Sequence, residues 1–264
     1  MFFDSYLGCA VIVIAFALVA ALGQLAVRKT VTHERLKKSH EVGGYLLSVV
    51  GTLYAVLLGL VVVDSMNTFQ KARDITEQEA NALADIWILS SRFPAAQSQP
   101  IQTMCSRYAD VVVTKEWDAM RHHVGSLEAR QLTVGITKSV IALEPVTPNQ
   151  QAIFPQMISD ADSLWQSRRT RMSTAIHGVP AIEWLTLIIG AVITVFFTYF
   201  FGLDNVKLQL TMTCMVAVLI ALNLVLVLLF GYPFAGDLAI RPTAFELDQA
   251  IFTGHIDTIP IKVE

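Results

Sequence analysis

Few side chains in this 264-residue chain are placed for chemistry. Asp64 directly follows the apolar run VVV, where an acid facing lipid is costly. It reads either as a carboxylate at headgroup level or as one member of a pore-mouth ring, where copies of an acid concentrate cations or tune selectivity. Lys71, Arg73, Glu77 and Glu79 read as a solvated helix face carrying both signs of charge. His122 and His123 are adjacent, so on a helix they point about 100° apart and chelate one ion poorly. Neither a metal site nor a cofactor is expected. No H-E-x-x-H, G-x-S-x-G or P-loop pattern is present, so the chain does not read as an enzyme. Cys9, Cys105 and Cys214 are too few and too far apart for a disulfide scaffold. The net charge of −3 gives no basic footprint for nucleic acid.

The elements that must position these residues follow from where charge is missing. The chain is 54% hydrophobic and only 16% charged, against about 25% charged in soluble domains. Residues 5–27, 45–63, 184–201 and 208–230 contain no Asp, Glu, Lys or Arg. A bilayer core needs about 20 apolar residues in helix. Spans are therefore predicted at about Tyr6–Val27, Val42–Val63, Pro180–Phe201 and Leu208–Phe230. The first lacks the basic lead of a signal peptide and reads as a retained span.

Between spans two and three the composition turns balanced, with 11 basic and 11 acidic residues over 68–179. The second span has no breaker behind it, so one helix is predicted to run on to about Arg92, where Phe93-Pro94 stops it. Further helices are predicted from Pro100 to Met120, from Ser126 to Leu143 and from Thr147-Pro148 toward Arg168, Arg169 and Arg171. The fold class is thus all-α: a polytopic membrane protein with four transmembrane helices and a helical-bundle domain inserted between spans two and three. The domains run 1–67, 68–179, 180–232 and a Pro/Gly-marked tail, 233–264. In that tail only Thr243–Phe252 suits a helix. Within the second span, Gly44, Gly51 and Gly59 form a small-residue face for close helix packing, either inside one subunit or between subunits. Gln24, Asn67 and Asn223 are candidates for hydrogen bonds between helices.

Two stretches carry a resemblance. GTLYAVLLGLVVVDSMNTFQKA, followed by EQEANAL and SRFP, and then PFAGDLAIRPTAF after the fourth span, resemble the bacterial bestrophin-like membrane proteins. That family is remotely similar to the bestrophins, which are pentameric anion channels with a pore-lining second span. The resemblance implies an oligomeric ion channel, a pentamer by analogy, in a bacterial inner membrane, with the lipid bilayer and inorganic ions as its partners. It implies that Tyr45, Val49 and Leu53, spaced i, i+4, i+8, face the pore. Val49 and Leu53 stand where larger residues are usual, and the acidic calcium-clasp run of animal bestrophins is not apparent. The alternative is a non-conducting membrane sensor or scaffold whose helical domain binds a ligand or protein partner. Orientation is disputed between two signals. The basic loop 28–42 (Arg28, Lys29, Arg35, Lys37, Lys38) points to the cytoplasm and puts the helical domain outside; bestrophins keep that domain in the cytoplasm.

Overall fold

A computed structural model describes residues 5–31, 40–201 and 203–254. His33 and most of the basic loop, including Arg35, Lys37 and Lys38, lie outside the described residues, as does the tail beyond Gly254. Every regular element among the described residues is helical. Among the described residues four helices are long and apolar enough to cross a membrane, which makes this an integral membrane protein.

α1 covers Tyr6–Thr30 and is opened by Ser5, whose side chain accepts from the Gly8 N–H. α2 covers His40–Ser90, 51 residues without a break, because the sequence from Leu60 to Ser90 offers neither Gly nor Pro. Pro94 bars the α conformation from the residue before it and becomes the N-cap of α3, Ala95–Val111. The helix thus starts earlier than predicted. Pro100 falls in its second turn, where it forfeits a single backbone hydrogen bond. A π-helical segment, Val112–Glu116, links α3 to the short α4, Trp117–Met120. α5 spans Leu127–Ile141 under a Ser126 cap. α6 spans Pro148–Ile176 and opens with a capping box between Thr147 and Gln150, with Pro at the first position. α7 is Ala181–Thr198, α8 is Val206–Gly231 and α9 is Thr243–Thr253, the last closed by Gly254 at φ 74°. The third apolar helix is three residues shorter at its end than predicted, since Thr198–Phe201 turns out through tighter bonds.

The chain divides into two compact units: Met1–Phe69 with Gly178–Leu238, and Gln70–His177 with Ala239–Glu264. The first is the apolar unit. Its core joins Ala20 of α1, Tyr54 and Leu58 of α2, Leu187, Ala191 and Val195 of α7, and Ala217, Ile220 and Val227 of α8. Small side chains at 20, 191 and 217 are what lets these helices approach without an aqueous hydrophobic drive. The second is the helical unit. α3 packs on α5, α5 on α6, and α9 on α3. Leu83, Ile86, Ile101, Ile136, Met157 and Leu164 are fully buried there, with Phe245 of α9 against Tyr108 and Trp117.

Candidate functional site

The second helix has two sides in the apolar unit. On the packed side, Tyr54 is buried and its hydroxyl donates to the Leu187 carbonyl at 3.0 Å. The Tyr54 ring occupies the space where a Cβ on Gly190 would stand, so a tyrosine on one helix is matched to a glycine on the next. On the other side, Tyr45, Val49 and Leu53 are 76%, 58% and 68% exposed. Asp64 is exposed as well. The three glycines separate. Gly44 has the Phe201 ring 3.7 Å from where its Cβ would be, whereas a Cβ on Gly51 or Gly59 meets no atom of the described residues within 4 Å. Packing among the described residues therefore does not account for Gly51 or Gly59.

Polar side chains tie the same unit together. Gln24 is buried and accepts from the Thr213 hydroxyl at 3.0 Å, and Thr213 lies 3.2 Å from Thr198, so one chain of hydrogen bonds links α1, α8 and α7. Arg28 bonds Gln209 at 2.9 Å and the Leu203 carbonyl at 3.2 Å. Asn223, by contrast, donates to Leu219 of its own helix.

In the helical unit, the charges form a network away from water. Arg171 of α6 is fully buried and grips Glu79 of α2 through two bonds, Nε–Oε2 at 2.7 Å and Nη2–Oε1 at 2.8 Å. Its Nη2 also reaches Glu116 Oε2 at 2.9 Å. Arg168 pairs with the other Glu116 oxygen at 2.5 Å. The Tyr108 hydroxyl donates to Glu79 at 2.5 Å. The guanidinium carbon of Arg171 lies 5.3 Å from the Trp117 ring centre and 5.7 Å from that of Phe245. Two carboxylates thus meet two guanidiniums in a water-free setting, with most lone pairs satisfied, as a buried ionic group requires.

The bestrophin-like domain matches residues 14–245. The chain belongs to the bestrophin-like family. A structure of a variant bacterial bestrophin homolog from Klebsiella pneumoniae has a TM-score of 0.68 at 13% identity, over 92% of this chain and 99% of that one. A second structure of a homolog from the same organism gives 0.67 at 13%, over 94% and 99%. A variant membrane protein gives 0.68 at 11%, over 95% and 99%. At such identities the likeness is one of fold. No curated protein matches the chain.

In this bestrophin-like chain the network was the feature hardest to see in sequence. Glu79 is not on a solvated face; it is fully buried. The signal for it was periodic. Ala72, Thr76, Glu79, Leu83 and Ile86 are all buried and recur at steps of three and four, so Glu79 occupies a core position of α2. Arg168 and Arg171 likewise follow Met157, Ala161 and Leu164 down the buried stripe of α6. Glu116 closes the network from the π segment, a local geometry often found at functional sites. Burial by itself would raise the Glu116 carboxyl, but Arg171 and Arg168 outweigh it and hold the group below the usual carboxylate range. Burial opposes the charge on Arg171, yet Glu79 and Glu116 keep it firmly protonated. Burial, with Glu79 beside it, pushes the Tyr108 phenol well above its ordinary value, so it stays protonated and donates to Glu79. Among the described residues no group of His, Cys, Asp and Glu is arranged to hold a metal ion.

Proposed function

We propose that the chain is the subunit of an oligomeric bestrophin-like channel of a bacterial inner membrane, anion-conducting by analogy with bestrophins, in which residues 45–63 of α2 line the shared path. Membership of the family carries the reading. The geometry of α2 supports it: Tyr45, Val49 and Leu53 are turned away from their own protomer's core while Tyr54 and Leu58 hold the helix to it. Gly51 and Gly59, where a Cβ would meet no atom of the described residues within 4 Å, suit close approach of a second copy. Narrow apolar rings such as Val49 and Leu53 would form gate by controlling wetting. Asp64 from several copies would set the charge at one mouth. Five copies around the axis is the family's number. The helical unit, fixed internally by the Glu79–Arg171–Glu116 network, is a rigid body in this reading and contributes no chemistry.

The test is ion flux in proteoliposomes, with chloride in the lumen, for the native protein and for Leu53→Ala. The native protein is expected to release chloride and the variant to release it faster, because the constriction is wider. Absence of flux in both, across a range of voltage, would leave a non-conducting scaffold.

A further inference from the structure

Hydrogen bonds inside the helical unit set the level of each of its loops along α2. α3 runs back along that helix: Gln102 donates to the Trp87 carbonyl at 3.3 Å, and further on Tyr108 meets Glu79. From Tyr108 to Met120 the chain advances by about another 18 Å, which carries it back at least to Gln70, where the unit begins on α2. α6 runs the same way. Gln150 at its start donates to the Arg92 carbonyl at 3.0 Å, and its end leads within a few residues into the membrane helix α7 at Ala181. The loop after α4 and the last turn of α6 therefore lie where α2 has just left its apolar run. That run ends at Val63, about 10 Å along the helix from Gln70, a distance comparable to the depth of a headgroup layer.

These two segments are tied to each other. His123, at φ 60°, donates from Nδ1 to the Ala175 carbonyl at 2.8 Å, and a Cβ on Gly125 would stand 2.8 Å from Met172 Cε. The far end of the loop is held by the buried ionic network: the Ser126 N–H donates to Glu116 at 3.1 Å, and the Ser126 carbonyl accepts from Arg168 at 3.2 Å. Fixed in this way, the loop and the helix end leave apolar side chains in the open, with Val124 57%, Leu127 68% and Ile176 44% exposed. Arg121, His122 and His177 are exposed among them. Residues 119–127 and 172–182 contain no Asp or Glu. Single exposed apolar residues are ordinary. An acid-free group of them beside basic side chains, at the level of the headgroups, matches the boundary between acyl chains and anionic lipid. We propose that the loop Arg121–Leu127 is a membrane-surface anchor of the helical unit, with Val124 and Leu127 entering the bilayer boundary and Arg121 and His122 donating to anionic headgroup phosphates. The anchor requires that the chain span a membrane and does not require that it conduct.

Spin-label accessibility in the full-length protein tests this. Cys9, Cys105 and Cys214 are replaced by Ala, and a label is attached at Val124→Cys, at Leu127→Cys or at Val146→Cys, the last being an 80% exposed site before the opposite end of α6. Each protein is placed in nanodiscs of phosphatidylcholine alone or mixed with phosphatidylglycerol. Labels at 124 and 127 are expected to be reached by oxygen and shielded from a water-soluble nickel chelate, whereas the label at 146 is open to the chelate. Adding phosphatidylglycerol should shield 124 further, and Arg121→Gln should abolish that shift while leaving 146 unchanged. Chelate access at 124 and 127 equal to that at 146 would place the loop in water. Exclusion of both reagents would place it against a second copy or another protein. Either result, or a depth that does not respond to phosphatidylglycerol, overturns the proposal.

Discussion

Arg171 is the residue on which the helical unit turns. It satisfies two carboxylates from two other segments and lies close to two aromatic rings. Removing one member of a buried ion group leaves the others charged and unpaired, at a cost of roughly 3–5 kcal/mol. Arg171→Ala is expected to lower the melting temperature of the purified protein sharply; an unchanged Tm would show that the network adds nothing. A second buried acid works in the opposite sense. Asp248 is buried in α9 with Oδ2 unpaired, and burial, with Asp85 nearby, raises its carboxyl to about 8. An unfolded aspartate titrates near 3.9, about four units lower. Between those values the folded chain keeps a proton that the unfolded chain has released, so the contribution of this group to stability falls as pH rises through that window. Asp248→Asn should therefore melt close to the native protein at about pH 4 and above it at about pH 8. Parallel Tm–pH curves would refute this. Glu116 acts the other way: its depressed carboxyl contributes stability that is present above the ordinary carboxylate range and lost as pH falls through its folded value.

At the scale of the elements, what was legible had a local cause. Long charge-free runs gave the four apolar helices, and the absence of breakers between Leu60 and Ser90 gave the unbroken α2. Thr147-Pro148 marked the start of α6 because capping is a property of neighbouring residues. The π segment Val112–Glu116 had no such mark; VVTKE reads as ordinary helix, and its register is set by packing. Pairings across distance were also hidden. Glu79 and Arg171 stand 92 positions apart, and single charges on amphipathic helices look solvated until the partner helix is known. The same holds for glycine. Sequence drew attention to Gly44, Gly51 and Gly59, but it is Gly190 that lies under the Tyr54 ring of a neighbouring helix, with no room for a Cβ. Gly190→Ala should destabilise the subunit by about 1–3 kcal/mol through overpacking. Gly51→Ala and Gly59→Ala, whose added Cβ meets nothing among the described residues, should leave the monomer's melting unchanged and shift only the oligomer distribution seen by light scattering in detergent. Equal melting of all three variants would mean that Tyr54 yields easily and that α2 is not clamped there.

For the whole molecule, the fold and the family are settled by a match over residues 14–245 and by near-complete coverage of bacterial bestrophin homologs. The proposed path for ions runs along one face of α2. Thiol accessibility in conducting proteoliposomes tests it most directly. With Cys9, Cys105 and Cys214 replaced by Ala, Leu53→Cys is introduced and a water-soluble, membrane-impermeant methanethiosulfonate is added during chloride flux. The account predicts that flux stops on modification and returns on reduction, and that Leu57→Cys, about 40° round the helix and toward the packed side, reacts more slowly. Flux that continues after Leu53→Cys is fully modified would contradict it.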